Sequence, residues 1–218
     1  MTSFPNIRRL AEAYYIAKTS VLDAGFAPEI DWQYEVSLET LTEEAFLRET
    51  AWVILSSGMS ELVVKRKFPE LSRIFRSWES AKLIVEYADE CYTDAMSVFG
   101  NIGKLNAILY AAEHVDRRGF CNVRQQIQEE GMTYLQTFPF LGPTTSYHLA
   151  KNIGFHYAKP DRHLSRIAEG LGYHCVQNLC ADISNLTAEP VSVIDLVLWR
   201  YATLNSDYLA FFSEASNS

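Results

Sequence analysis

The chain has 218 residues, of which 48% are hydrophobic and 21% are charged, and its formal net charge is −8. This composition is ordinary for a globular protein, and no run approaches the roughly 18 apolar residues of a membrane-spanning helix. The N-terminal segment lacks the apolar stretch of a secretion signal, and the acidic balance argues against indiscriminate nucleic-acid binding. We therefore predict an intracellular, cytoplasmic protein with no membrane partner.

Hydrophobic residues recur with helical spacing along almost the whole chain. Thr40 and Glu43 form a capping box ahead of the second helix, and Pro69 is placed to begin the third. Only residues 30–36 alternate in the manner of a strand, and one strand cannot form a sheet. The predicted fold class is all-α. The predicted helices cover residues 6–20, 41–57, 70–78, 80–96, 101–115, 122–136 (as two short helices), 145–152, 161–171, 192–204 and a last short segment near 207–212.

The cysteines give no sign of a disulfide framework or a metal cluster. The chain has four cysteines in all, and they are too few and too scattered for a disulfide framework. The last two show a C-x4-C spacing that does not fit the four-cysteine pattern of an iron–sulfur cluster. We predict free thiols, no metal and no cofactor. The four residues are Cys91, Cys121, Cys175 and Cys180.

Residues 135–146 are the most informative part of the sequence. They read Leu-Gln-Thr-Phe-Pro-Phe-Leu-Gly-Pro-Thr-Thr-Ser, which is typical of a helix end, a tight Pro-x-x-Gly hairpin and a second helix start. The threonines and the serine stand at positions suited to capping that second helix. A hairpin that opens into a helix N-terminus presents unpaired N–H groups and the positive end of a dipole. The segment therefore predicts a binding site for a phosphate oxygen.

A second short segment, Lys159-Pro160-Asp161-Arg162-His163, places a carboxylate directly after a proline and at the start of another helix. Its surroundings are locally basic although the chain is acidic. Residues 143–170 hold four basic residues and three histidines against two acidic ones, so this part of the chain can follow a phosphate backbone. A second basic cluster follows residue 59 and consists of Lys65, Arg66, Lys67, Arg73 and Arg76.

An anion-binding turn followed by a carboxylate 19 residues after Gly142 resembles the helix-hairpin-helix DNA glycosylase superfamily. The Leu-Gln-Thr-Phe-Pro run at 135–139 is most similar to the alkylpurine branch of that superfamily. The resemblance is strongest over 135–168 and weaker over 45–130, where residues 54–59 occupy the place of the strand-invading loop. It implies two helical lobes, one of residues 37–155 and one of residues 1–36 and 156–218, with the substrate cleft between them. It also implies a nucleoid-associated monomer that binds double-stranded DNA.

The resemblance makes Asp161 the predicted catalytic residue. Hydrolysis of an N-glycosidic bond develops positive charge on the deoxyribose, and a carboxylate near C1′ stabilises that charge and orients a water molecule. An alternative is that Asp161 only caps the helix that begins at Arg162, because Asp is favoured at that position. The two roles are compatible.

The resemblance also implies a monofunctional enzyme that leaves an abasic site. Members that cleave the strand place a lysine near the start of the second hairpin helix, where this chain has Pro143 or Thr144. Lys151 lies two turns further along, where contact with solvent or phosphate is expected. Phe140 replaces the first glycine of the hairpin, whereas Gly142 keeps the second. The residues expected to contact DNA are Phe140, Leu141, Gly142, Thr144, Thr145, Lys151 and Arg162.

A glycosylase must flip its target base out of the stack and fill the vacancy. Met59, just after Gly58, is the predicted wedge, with a core methionine as the alternative. A flipped base usually stacks on aromatic rings, although aromatic residues at helical spacing more often belong to a core. The candidates for this pocket are Trp32, Tyr34, Trp52, Tyr147 and His148.

The leading hypothesis is thus a DNA N-glycosylase, with alkylated purines as the favoured substrate. A bulky modified base in foreign phage DNA is an alternative substrate. A non-catalytic helix-hairpin-helix DNA-binding protein is the first rival, and an α-helical interaction protein without nucleic acid is the second. Salt-dependent binding to duplex DNA would distinguish the interaction protein from the two DNA-binding hypotheses. Base release would distinguish the glycosylase from the non-catalytic DNA-binding protein.

Overall fold

The computed structural model describes residues 7–217 of the chain, and this part of the protein is all-α. It contains fourteen α-helices and one short 3-10 helix, and no strand among the described residues. The predicted fold class is confirmed at this level. The helices are α1 Ile7–Asp23, α2 Ala27–Glu35, α3 Glu43–Ser56, α4 Glu61–Ile74, α5 Ala81–Glu86, α6 Ala88–Val98, α7 Ile102–Arg118, α8 Phe120–Glu130, α9 Met132–Leu135, α10 Thr145–Asn152, α11 Arg162–Gly170, α12 Val176–Thr187, α13 Val191–Leu204 and α14 Tyr208–Asn217, with the 3-10 helix at Arg76–Trp78.

The chain divides into two compact units. The terminal unit combines the chain up to Val36 with the chain from Phe155 onward, and the central unit is Ser37–Gly154. The sequence predicted divisions after residues 36 and 155. The two units divide after residues 36 and 154. The terminal unit therefore carries Asp161, and the central unit carries the hairpin.

The terminal unit is built around α13. Residues 192–198 of this helix are all buried, so its flanks as well as its inner face are covered, chiefly by α1, α12, α2 and α11. Such all-round burial is typical of a central core helix. The apolar side chains of α1 that complete this core are Leu10, Ala13, Tyr14, Ala17 and Val21. One buried residue of α13 carries a carboxyl group, namely Asp195.

The central unit packs α3 against α7, α4 and α10. Aromatic residues fill two regions of its interior. Around the 3-10 helix, the Trp78 ring stacks on Phe75 with ring centroids 5.1 Å apart. Next to the hairpin, the Phe138 ring packs edge-on against Phe46, His114 and Tyr134. The hairpin is therefore anchored through Phe138 in a packed aromatic core.

The strand-like segment 30–36 is wrong as a prediction, because residues 27–35 form α2. Pro28 stands in the first turn of that helix, where its missing N–H does no harm. The buried positions are Ile30 and Gln33, three residues apart, which is helical spacing. Trp32 is half-buried and Tyr34 is exposed, so the apparent alternation does not follow burial.

Several predicted helix boundaries also move. Thr42, not Thr40, caps α3, because its side chain accepts the N–H of Ala45. Pro69 lies inside α4 instead of beginning a helix. The predicted helix at 80–96 is two helices that meet at Tyr87. Helix α12 was missed, although its buried residues show the helical spacing i, i+3, i+4, i+7. Those buried residues are Val176, Leu179, Cys180 and Ile183.

Candidate functional site

The hairpin between α9 and α10 is closed by one backbone hydrogen bond. The N–H of Leu141 donates to the carbonyl of Phe138 at 3.1 Å, and both side chains are buried. Gly142, Pro143 and Thr144 stay exposed. The turn is thus held from inside by two apolar side chains, while its outer edge faces solvent.

Phe140 adopts the left-handed backbone conformation, with φ at 66°. In the superfamily that the sequence resembles, glycine holds this position, and glycine enters that conformation without the steric cost of about 1–2 kcal/mol that other residues incur. The Phe140 ring is 41% exposed and lies against α7, where a Cβ added at Gly103 would be 3.3 Å from its Cζ. Gly103 therefore leaves room for the Phe140 ring on α7. A glycine at position 140 would have no side chain to place there.

The hydroxyl groups at the start of α10 brace the hairpin instead of capping the helix. Thr145 Oγ1 donates to the Phe140 carbonyl at 2.7 Å, and Ser146 Oγ donates to the Gly142 carbonyl at 2.8 Å. Thr144, at the cap position, makes no capping hydrogen bond with its side chain. The capping role expected for the threonines and the serine is therefore wrong.

Because of this arrangement, backbone donors stay available at the outer edge of the hairpin. The N–H groups of Gly142, Thr144 and Thr145 have no acceptor among the described residues. They lie at the N-terminal end of α10, where the helix dipole is positive. Such a set of amides is suited to a phosphate oxygen.

An open groove of about 550 Å³ runs beside the hairpin. The groove lies where the hairpin meets the 54–59 segment, since Ser57 of that segment forms one part of its lining. The remaining lining comes from the hairpin and is a mixture of ring, amide and hydroxyl groups. These residues are Gln136, Phe138, Phe140, Leu141, Gly142, Pro143, Thr144 and Thr145.

Lys104 fixes the end of α3 beside this groove, and sequence reasoning missed it. Its side chain is buried, and its Nζ donates to the carbonyls of Leu55 and Ser57, each at 2.6 Å. The same Nζ lies 6.0 Å from the centre of the Phe140 ring. Burial lowers the pKa of this ammonium group. One buried cation therefore connects both sides of the groove.

We expect Lys104→Met to destabilise the central unit by about 1–3 kcal/mol, because the variant leaves two carbonyls without their donor. Chemical denaturation measures the change. Lys82→Met is the matched control, since Lys82 is an exposed lysine on α5, and its effect should stay within about 0.5 kcal/mol. Equal stability of the two variants would show that Lys104 does not hold the end of α3.

Met59 occupies an exposed turn between α3 and α4. Gly58 has φ at 66°, and the Met59 N–H donates to the carbonyl of Ser56 at 3.1 Å. Met59 is 40% exposed, and Leu62, in the first turn of the following helix, is 76% exposed. The core alternative for Met59 is wrong, because this side chain is not buried. Its use as a wedge stays a prediction.

Asp161 is the N-cap of α11. Its Oδ1 accepts the N–H groups of His163 and Leu164, each at 2.9 Å. In the described part of the chain no group donates to Oδ2 of this half-buried carboxylate. One oxygen therefore holds the orientation of the carboxylate, and the other is available for an external partner. The capping role expected from the sequence is present, and it is compatible with chemistry at Oδ2.

The other basic and DNA-contacting candidates differ in exposure. Arg162 is exposed next to Asp161, and its Nη2 lies 3.3 Å from Nε2 of His163. Lys151 is only 7% exposed, so the predicted contact with solvent or phosphate is wrong for its side chain. Leu141 is also buried, and its N–H is used within the turn, so it offers phosphate no donor. Lys151 lies near the C-terminal end of α10, where residues 149–152 are all buried.

The aromatic pocket candidates do not form one cluster. Trp52 is half-buried and packs edge-on against Phe68 in the central unit, with ring centroids 5.1 Å apart, and its base-stacking role stays a prediction. Tyr34 is exposed, but its hydroxyl donates to Glu189 and accepts from Lys18 at 3.0 Å. The other half-buried candidates are Trp32 in the terminal unit, and Tyr147 and His148 on α10 of the central unit.

The described residues contain no group of three or more His, Cys, Asp or Glu side chains that could hold a metal ion. The four cysteines, all of which lie among the described residues, form no disulfide bond, and two of them are buried and two exposed. Among the helices of residues 7–217, none combines the length and the apolar character needed to cross a bilayer.

Comparison of this chain with protein-family models, with curated proteins and with solved structures gives no match.

Proposed function

We propose that this protein is a monofunctional DNA N-glycosylase that flips a damaged or modified base out of double-stranded DNA and leaves an abasic site. The observation that carries the proposal is the conformation of the hairpin. Phe140 takes the left-handed backbone of a hairpin glycine, and free amides line the outer edge of the turn. A hairpin of this type, with a carboxylate at the start of a later helix, is what the superfamily resemblance requires.

The hairpin supports DNA binding through the phosphate backbone. The amides of Gly142, Thr144 and Thr145 would bind a phosphate oxygen, and the exposed Arg162 would add a charge contact. Contacts of this kind position a protein on DNA without reading its sequence. The proposal includes the two-lobed helix-hairpin-helix glycosylase fold and a monomer that acts on DNA in the cytoplasm.

Asp161 would carry the chemistry. As the base leaves, positive charge develops around C1′ of the deoxyribose, and a fixed carboxylate stabilises that charge. The two amide hydrogen bonds to Oδ1 hold the carboxylate in one rotamer, which leaves Oδ2 to face the sugar and orient water. Preorganisation of this kind avoids a reorganisation cost during the reaction.

A second candidate is a non-catalytic helix-hairpin-helix DNA-binding protein. The double hydrogen bond from the amides of His163 and Leu164 to Asp161 favours it, since an ordinary N-cap makes the same bonds. In this candidate the hairpin binds DNA and no base is released.

A panel of duplex oligonucleotides tests the proposal. Each duplex carries one alkylated, deaminated, oxidised or bulky hypermodified base, and strand breaks are scored after alkali. We expect breaks with one class of base, with alkylated purines as the favoured class and bulky bases of foreign DNA as the alternative. Duplex binding that weakens with salt, without base release from any member of the panel, would establish the non-catalytic candidate.

We expect Gly142→Leu to weaken binding to all duplexes by similar factors of roughly tenfold, because a bulky side chain keeps phosphate from the hairpin amides and removes about 1.5 kcal/mol. A Cβ at Gly142 has ordinary space, with Thr145 Oγ1 at 4.0 Å, so the variant should fold. Gly170→Leu, at the far end of α11 from Asp161, is the control. A changed base preference at unchanged affinity would contradict the phosphate role.

A further inference from the structure

Asp195 is an ionisable residue in an otherwise apolar stretch of helix. It lies in the middle of α13 and is 1% exposed, with Ile194 and Leu196 on either side. A carboxylate in such surroundings is strongly disfavoured unless hydrogen bonds satisfy it. An apolar residue would serve the core of the terminal unit better, so a role outside the core is expected.

One partner of Asp195 is the backbone that leads into Asp161. Its Oδ1 accepts the N–H of Lys159 at 2.6 Å. Residue 160 is proline and has no N–H to donate. The N–H of Asp161 donates to the Lys159 carbonyl at 2.7 Å. The N–H and the carbonyl of Lys159, which belong to successive peptide groups, are therefore both hydrogen-bonded, the first to Asp195 and the second to Asp161.

The residue before Lys159 is fixed in the same way. The N–H of Ala158 donates to Oε1 of Gln177 on α12 at 2.9 Å. Side chains of α12 and α13 thus supply acceptors to consecutive amides. The segment 158–161 is consequently held in one conformation before α11 begins.

We propose that Asp195 is a positioning residue that fixes the Lys159-Pro160 backbone and thereby the direction of the Asp161 carboxylate. This inference rests on the proposed glycosylase function. The hydrogen bonds to Oδ1 orient the Asp161 carboxylate relative to α11, whereas Asp195 fixes the chain that carries the Asp161 backbone. A displacement of about 1 Å in a catalytic group lowers a reaction rate by roughly 100-fold.

Two substitutions separate the acceptor from the charge. Asp195→Asn keeps an oxygen that accepts the Lys159 N–H, and Asp195→Ala removes it. We expect the Ala variant to lower the single-turnover rate of base release by roughly 100-fold, with the dissociation constant for duplex DNA changed less than about twofold. The Asn variant should stay within about fivefold of wild type. Asp182→Ala is the matched control, because Asp182 bonds the Tyr173 hydroxyl and not the 158–161 segment.

Amide hydrogen exchange gives a readout that does not depend on activity. The Lys159 amide should be protected in wild type and in Asp195→Asn, and should exchange rapidly in Asp195→Ala. If wild type releases no base, the glycosylase proposal fails, and the exchange data still decide whether Asp195 holds this segment. If Asp195→Ala does not fold, Gln177→Ala loosens the neighbouring amide and should lower the rate by about tenfold without a change in DNA affinity.

Two results would overturn the inference. One is a rate for Asp195→Ala within about fivefold of wild type in a folded protein. The other is a Lys159 amide that stays protected in Asp195→Ala, since its N–H would then not depend on this carboxylate.

Discussion

Replacing Asp161 by Asn is expected to abolish base release while DNA binding stays largely intact. Asn keeps the shape of the side chain, and its Oδ1 can still accept the amides of His163 and Leu164, so the cap of α11 is preserved. Under the proposed function, the variant loses the negative charge that would face the developing positive charge on the sugar. This electrostatic loss is roughly 3–4 kcal/mol or more, and single-turnover kinetics should show a rate at least about 100-fold lower.

Asp161→Ala provides the comparison that separates catalysis from capping. It removes both the charge and the cap, so it should also lower the stability of the terminal unit by about 1 kcal/mol. Asn and Ala variants with equally low rates but different stabilities would assign the rate effect to the charge. A rate for Asp161→Asn above a tenth of wild type would make Asp161 a structural residue.

The product is expected to be an abasic site in an unbroken strand, with breaks only after heat or alkali. Strand cleavage by a glycosylase needs an amine that attacks C1′ and forms an imine. By the resemblance that the proposal rests on, Pro143 or Thr144 would take the place of the attacking lysine, and neither side chain has an amine. Borohydride should therefore trap no covalent adduct between protein and DNA.

Lys151 is the test of that alignment. Its side chain is buried on α10, and an amine in this state is not placed to meet DNA. Lys104 is buried as well, and its Nζ is held by two carbonyls of α3 and the turn after it. An adduct that is trapped with wild type and is lost in Lys151→Ala would contradict the monofunctional proposal and identify a lyase.

Much of the helical content was predictable because burial follows the 3.6-residue period. Helix α10 and the pair α8 and α9 have clear apolar spacing and turn residues at their ends. The errors arose where tertiary contacts decide. Pro69 lies on the exposed side of α4. Helix α2 is distinguished from a strand by the joint burial of Ile30 and Gln33, which the sequence does not report.

The candidate site was predictable to a different extent at each residue. Asp161 and Gly142 were singled out by the resemblance of residues 135–168 to the helix-hairpin-helix glycosylases. The left-handed turn at Phe140 was not predictable, because it depends on Gly103 leaving space on α7. The contacts of Lys104 and Asp195 join segments 47 and 36 residues apart, counted from Lys104 to Ser57 and from Asp195 to Lys159. No local pattern reports such partners, and a lone buried charge is the one signal that could have suggested them.

Detection of free bases released from DNA tests the glycosylase proposal most directly. The purified protein and Asp161→Asn would be incubated in parallel with alkylated DNA and with DNA rich in bulky modified bases, and the released bases would be identified by mass spectrometry. We predict one class of free base with wild type, none with Asp161→Asn, and strands that stay intact until alkali is added. Binding of wild type to duplex DNA with no free base from any of these substrates would contradict the proposal.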